Sequence, residues 1–134
     1  MEPIHESFGE LVAALRKCRQ GCPWTRKQSV ESYGLQLLSE AEELKQALER
    51  HDYPNLKEEL GDVLWDVLMV AHFAEDAGHF TVDEIMRSVV GKMKRRKPYI
   101  FEGREVSLEE AHRLWKEGKK QERLGKGGST PLPG

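Results

Sequence analysis

Residues 56–72 read LKEELGDVLWDVLMVAH, and the nature of this run decides the fold. From Leu60 to Ala71 a helix would be apolar on nearly every side, the mark of a segment made for an interior. Two acids, Asp62 and Asp66, nevertheless lie inside it. Their neighbours Val63, Leu64, Trp65, Val67, Leu68, Met69 and Val70 leave little polar face for them to share. An unpaired carboxylate taken out of water is costly, or is driven neutral by a raised pKa. The helix therefore implies a counter-charge beside it.

Outward from this run the chain reads as helix throughout, and the expected class is all-α. Phe8, Leu11, Val12 and Leu15 space out the face of a first helix that ends near Gly21-Cys22-Pro23. A second helix is expected from about Ser29 to Arg50, with Leu37, Ala41, Leu44 and Leu48 along one stripe. His51-Asp52-Tyr53-Pro54 forms a turn, because proline suits the opening of the next helix and not an interior. The third helix then spans roughly Pro54 to Ala77 and stops at Gly78. Thr81-Val82-Asp83-Glu84 has the capping-box form and opens a fourth helix reaching about Arg96. Ser107-Leu108-Glu109-Glu110 repeats that signature and starts a last helix to about Leu124. This organisation predicts one domain over residues 1–124 and a flexible tail, GKGGSTPLPG, over 125–134.

Composition narrows the function. The chain has 134 residues, 38% hydrophobic and 33% charged, enough for one core. A formal net charge of −2 gives no electrostatic case for nucleic acid or a membrane as partner. No apolar run approaches the roughly 18 residues of a membrane span, and the first twenty residues carry acids where a signal peptide has bases. A cytoplasmic protein is expected. Cys18 and Cys22 are the only cysteines, too few for a zinc site or a disulfide framework, and read as reduced thiols. The five histidines are scattered and read as surface or half-buried.

The second and third helices explain the buried acids. One carries Glu40-Ala-Glu-Glu43, the other Glu59-Leu-Gly-Asp62, and residues three apart share a helix face. A short turn centred near residue 52 should pack the two helices antiparallel. Residues 43 and 59, and equally 40 and 62, are centred on residue 51, so Glu43 faces Glu59 and Glu40 faces Asp62. Both levels lie on the order of 10–17 Å from the turn, and Asp66 extends the same face. No lysine or arginine stands at the matching levels. A hard cation, Mg²⁺ or Mn²⁺, would resolve four converging carboxylates. A di-iron bundle would present Glu-x-x-His motifs, which are absent. For Glu40 and Glu43 alone, beside Glu42, Lys45 and Glu49, a solvated acidic face remains an ordinary alternative. Gly61 in mid-helix suggests close approach by another helix or a ligand.

GKMKRRKP (91–98) sets Lys92, Lys94, Arg95, Arg96 and Lys97 at the end of the fourth helix. Such charges can complement the helix dipole, or form a nucleic-acid patch, which the acidic balance disfavours. A third reading is a phosphate clamp, since Lys92 and Arg96 share a face and Arg95 lies three from Lys92.

Taken in order, GCPWTRKQS (21–29), LLSEAEEL (37–44), EELGDVLWDVL (58–68), KMKRRKPYIF (92–101) and LWKEGKKQER (114–123) resemble the MazG-type nucleoside triphosphate pyrophosphohydrolases of the all-α NTP pyrophosphatase superfamily. The resemblance covers about residues 8–123. It implies that Glu40, Glu43, Glu59 and Asp62 are Mg²⁺ ligands at a catalytic site, with Mn²⁺ a possible substitute. It implies that Lys92, Arg95 and Arg96 hold phosphate and that Trp24, with Trp115, lines a nucleotide pocket. The implied reaction is hydrolysis of a nucleoside triphosphate to the monophosphate and pyrophosphate, in a homodimer or homotetramer. The chain departs from the family pattern at Ser39, where an acid is usual, at Thr25 after the CPW, and at Val90-Gly91 before the phosphate lysine. These changes bear on substrate and rate. They leave open a non-catalytic helical module that binds nucleotides or a protein partner; an oxidase-type di-metal protein is the remaining alternative.

Overall fold

Ser29 opens the first arm of the central hairpin with a reciprocal cap. Its backbone N–H donates to Ser32 Oγ at 2.9 Å, and Ser32 N–H donates back to Ser29 Oγ at 3.1 Å, a capping box built from two serines. The computed structural model describes residues 2–125. In chain order the helices are α1 (Pro3–Gly21), α2 (Pro23–Arg26), α3 (Val30–Glu49), α4 (Tyr53–Asp76), α5 (Val82–Arg96), α6 (Pro98–Glu102) and α7 (Leu108–Gly125). No strand occurs among the described residues. The expected all-α class holds, and each of the five long helices lies where its pattern places it. The tail expected over 125–134 lies outside the described residues apart from Gly125, the last residue of α7.

Helices α2 and α6 are additions to the expected set. Each is one short turn opened by a proline, Pro23 or Pro98, where the sequence signals only a break.

The α3–α4 turn is a tight left-handed cap. His51 adopts φ 53°, Asp52 N–H donates to the Ala47 carbonyl and His51 N–H to that of Leu48, each at 3.2 Å. This is a Schellman motif with histidine where glycine is usual. Asp52 then caps α4, its Oδ1 accepting from Asn55 N–H at 3.3 Å. The far end of α4 closes with the same motif around Gly78, φ 82°.

The chain divides between Val82 and Asp83 into two compact units. In the first, α3 and α4 pack along one another, α1 lies against α4, and α2 against α1. Leu15, Tyr33, Leu68 and Met69 form the core, with Phe8, Leu11, Cys18, Trp65, Val70 and Phe73 packed around it. Tyr33 and Met69 are equally distant from residue 51, so the core occupies the end of the hairpin away from the turn. The acidic positions fall between turn and core. His72 is buried, not surface or half-buried as expected: its Nδ1–H donates to the Leu68 carbonyl at 2.7 Å, which lets the ring enter the interior. Cys18 and Cys22 are free thiols, as expected.

The second unit joins α5 and α7 at a glycine. A Cβ on Gly118 would stand 3.0 Å from Arg96 Cγ and 3.1 Å from the Arg95 carbonyl oxygen, so only glycine permits this approach. No helix among the described residues is long and apolar enough to cross a membrane.

Candidate metal centre

The register of the hairpin brings three carboxylates together. Glu40 and Glu43, one turn apart on α3, and Glu59 on α4 each present an oxygen within 4.8 Å of the others. Glu40 and Glu59 are half-buried and Glu43 is exposed. Oε2 of Glu40 and Oε2 of Glu59 are both inaccessible to solvent and have no hydrogen-bond partner.

Buried acceptors in an acidic setting resist ionisation. Burial, then the charges of Glu43, Asp62, Asp66 and Glu59, pushes the Glu40 carboxyl up to about 7. Burial and the charges of Glu43 and Asp62 likewise raise Glu59. Asp62 is exposed and stands outside the three-carboxylate group, but its charge bears on Glu40, Glu59 and Asp66. The structure thus assembles three of the four expected ligands and sets the fourth at the rim. Asp66 is almost wholly buried, 2% exposed, and its Oδ2 also lacks a partner. Gly61 does not mark a close approach within the chain: nothing lies within 4 Å of where its Cβ would be.

An all-carboxylate donor set with two orphaned, solvent-inaccessible oxygens fits a hard divalent cation, which would satisfy both and neutralise the mutual repulsion. No histidine or cysteine joins the group among the described residues, so nothing favours a softer metal.

The expected phosphate ligands lie on α5 in the second unit, and two of them are engaged. Arg96 grips Glu122 of α7 through Nε and Nη2, at 3.2 and 2.8 Å, and Arg95 Nε reaches the same carboxylate at 3.2 Å. The Arg96 hydrogen bond holds Glu122 below the usual carboxylate range. The Arg96 guanidinium also lies over the Trp115 ring, 4.7 Å from its centroid, with Lys97 over the same ring at 5.7 Å. Lys92 is half-buried, nearly three turns into α5. Glu122 and the Trp115 stack were not foreseen; no periodicity links residue 96 to residue 122.

Trp24, in the short α2, is 52% exposed and meets Tyr33 edge-on, ring centroids 5.9 Å apart. Trp65 Nε1–H donates to the Tyr33 hydroxyl at 3.2 Å, so the two tryptophans flank one buried tyrosine of α3.

Residues 28–101 match the model of the MazG nucleotide pyrophosphohydrolase domain. The matched span contains the three carboxylates, Asp62, Lys92, Arg95 and Arg96, and leaves out Trp24 and Trp115. The chain is 38% identical over 120 residues to a nucleoside triphosphate pyrophosphohydrolase of Mycolicibacterium smegmatis, covering 88% of this chain and 37% of that protein. It is 37% identical over 118 residues to a nucleoside triphosphate pyrophosphohydrolase/pyrophosphatase MazG of Thermotoga maritima, covering 87% of this chain and 45% of that one. This chain therefore spans less than half the length of either relative. The crystal structure of a mazG-related protein from Thermotoga maritima superposes with a TM-score of 0.79 at 38% identity, over 84% of this chain and 98% of that chain.

Proposed function

The chain belongs to the MazG nucleotide pyrophosphohydrolase family, and from that premise we propose that it hydrolyses nucleoside triphosphates to the monophosphate and pyrophosphate with Mg²⁺ as cofactor. The observation that carries the reading is the convergence of Glu40, Glu43 and Glu59 with two solvent-inaccessible oxygens that have no hydrogen-bond partner among the described residues. The family relationship adds the nucleoside triphosphate pyrophosphohydrolase activity for which the relatives are named.

Glu40, Glu43 and Glu59 would hold the cation, with Asp62 at the rim as the fourth ligand. When bound there, a divalent cation supplies Lewis-acid polarisation of a phosphoryl oxygen and activation of water. One oxygen of Glu40 and one of Glu59 are closed off from solvent, which weakens screening at those atoms. On this reading Lys92, Arg95 and Arg96 are the phosphate ligands of the basic segment, with Glu122 hydrogen-bonded to part of the Arg95 and Arg96 guanidinium groups. Trp24 offers an exposed ring to the nucleoside.

A second copy of the chain completes the assembly, as a homodimer or homotetramer. Leu35 and Leu38 on α3 are 70% and 67% exposed, and Val67 and Leu64 stand level with them across the hairpin, about half exposed. Large apolar side chains left exposed on both arms of the hairpin are what a second copy would cover. Neither nucleic acid nor membrane is a partner on this reading, and a nucleotide-pool substrate accords with a cytoplasmic location.

The test is incubation with a panel of NTPs and dNTPs plus Mg²⁺, assaying pyrophosphate and orthophosphate separately, with Glu43→Ala alongside. Pyrophosphate from the wild type alone supports the assignment. Orthophosphate as sole product, or undiminished turnover by the variant, refutes it; binding of Mg·NTP without product favours the non-catalytic module. Light scattering that finds a strict monomer would refute the oligomer.

A further inference from the structure

Cys18 and Cys22 are the two thiols of the chain, and neither the carboxylate group nor the basic segment uses them. They stand one turn apart at the end of α1, where Cys22 N–H donates to the Cys18 carbonyl at 2.9 Å, so both lie on one side of the helix. Cys18 packs against the core that holds Tyr33, and charge on either sulfur bears on the Tyr33 hydroxyl. Both residues are half-buried, which leaves them open to a small reagent. Cys22 is also the joint between two helices: its N–H closes α1, and its carbonyl accepts Arg26 N–H at 3.0 Å to open α2. Trp24 rides on that short helix, its ring edge-on to Tyr33 at 5.9 Å. Interaction with Thr25, its hydroxyl first and its N–H second, draws the Cys22 thiol below its ordinary value, which favours the reactive thiolate.

We propose that Cys18 and Cys22 form a reversible dithiol switch, which hydrogen peroxide closes to an intramolecular disulfide and which displaces α2 with its Trp24. The Cys22 thiolate attacks one peroxide oxygen; the O–O bond breaks, hydroxide leaves as water, and Cys22 becomes a sulfenic acid. The Cys18 sulfur then attacks that of Cys22, the S–O bond breaks, and a second water carries off the Cys18 proton. Two thiols and one peroxide thus give one disulfide and two waters. A disulfide needs its Cβ atoms about 3.5–4.5 Å apart, whereas side chains one helical turn apart hold them at about 5–6 Å. Closure therefore draws the two positions together by about 1–2 Å, which an intact turn does not allow. The turn in question is the last of α1. Cys22 already has extended backbone, φ −89° and ψ 116°, and Gly21 between the thiols is exposed with nothing within 4 Å of where its Cβ would be. The movement is absorbed there and passes through Cys22 into α2. The carboxylates lie on α3 and α4, beyond the core, and are left in place. Displacing Trp24 weakens nucleotide binding, a consequence that rests on the reading of Trp24 as the nucleoside's ring; the disulfide itself does not.

The experiment treats the full chain with hydrogen peroxide, quenches with catalase, and compares wild type, Cys18→Ala and Trp24→Phe before and after. Alkylation and mass spectrometry count the free thiols, and tryptophan emission follows the ring. KM and kcat are measured by pyrophosphate release with Mg²⁺ and the fastest of ATP, GTP, CTP and UTP. The oxidised wild type should lose both alkylatable thiols to a disulfide within one chain. Its KM should rise about fivefold or more, the low end for a lost base–ring stack, with a smaller change in kcat, and dithiothreitol should restore it. Cys18→Ala should stop at a Cys22 sulfenic acid, trapped by dimedone, and keep its KM; if that variant loses its helical circular dichroism, Cys18→Ser takes its place. Thiols that stay alkylatable, disulfides formed only between chains, or a KM rise that persists without Cys18 would overturn the proposal. So would a disulfide that leaves KM unchanged. A reduced wild type that releases no pyrophosphate refutes the function instead. The switch is then judged by the disulfide and by a reversible emission change that Trp24→Phe lacks; a disulfide without that change overturns it.

Discussion

Replacing Glu40 by Gln should exchange a cation-dependent protein for a cation-indifferent one, and the exchange is readable by melting alone. Glu40 is the member of the group whose proton is held most firmly, its carboxyl raised from 4.5 to about 7 by burial and by its acidic neighbours. Without metal, the folded state keeps that proton over a range in which the unfolded chain has already lost it. The stabilisation is complete below about pH 4.5 and is lost as pH rises through about 7. Metal-free wild type should therefore melt at lower temperature at pH 8 than at pH 5. Glutamine keeps the shape and carries no charge at either pH, so the fall between those two values should shrink in the variant. At pH 8 its metal-free Tm should equal or exceed that of the wild type. Mg²⁺ reverses the order. At about 100 times Kd a ligand of the folded state stabilises it by about 2.7 kcal/mol, which for a domain of this size raises Tm by roughly 10 °C. The gain should be smaller at pH 6, where the cation must displace the Glu40 proton. The variant should show only a small part of that gain at any pH. Differential scanning calorimetry at pH 5, 6 and 8, with EDTA or Mg²⁺, covers every arm. An undiminished Mg²⁺ shift in Glu40→Gln, together with a pH slope parallel to the wild type, would refute both the ligand assignment and the electrostatic account of Glu40.

Two further substitutions probe how the site is held. His51→Gly should raise Tm, because the left-handed φ of 53° costs a residue with a Cβ about 1–2 kcal/mol, offset in part by the greater freedom of unfolded glycine; a lower Tm would mean the imidazole stabilises the turn in some other way. Gly118→Ala should destabilise the second unit by about 1–3 kcal/mol, the range for forcing extra volume into a packed site, since the new methyl meets Arg95 and Arg96 backbone at 3.1 Å. Amide hydrogen exchange should show the loss in α5 and α7 while α3 and α4 keep their protection; uniform loss through both units would contradict it.

The hairpin was legible because two independent signals agree on it. The turn residues His51-Asp52-Tyr53-Pro54 locate the reversal, and the spacing of the acids then fixes axial level by simple counting about residue 51. That counting sets Glu43 level with Glu59 and Glu40 level with Asp62 at the neighbouring level, and Glu40, Glu43 and Glu59 are found together. Its limit shows at Asp62. Level along the axis does not fix where a carboxylate ends up, and Asp62, three positions on from Glu59, lies exposed outside the three-carboxylate group. Asp66 was visible for the opposite reason, since its apolar neighbours left it no outside to face.

What stayed hidden lies between elements or within very short ones. Pro23 and Pro98 carry one local signal with two meanings, the end of one helix and the first turn of the next. A four- or five-residue helix has too few positions for any periodicity to choose between them. The pairing of Arg96 with Glu122 spans α5 and α7, and neither residue differs in its own surroundings from the charged residues beside it. Gly118 was the one local mark of that packing, because a glycine inside a helix costs about 1 kcal/mol relative to alanine and here admits the α5 backbone. Reading it required knowing which helix comes close, and only the tertiary arrangement supplies that.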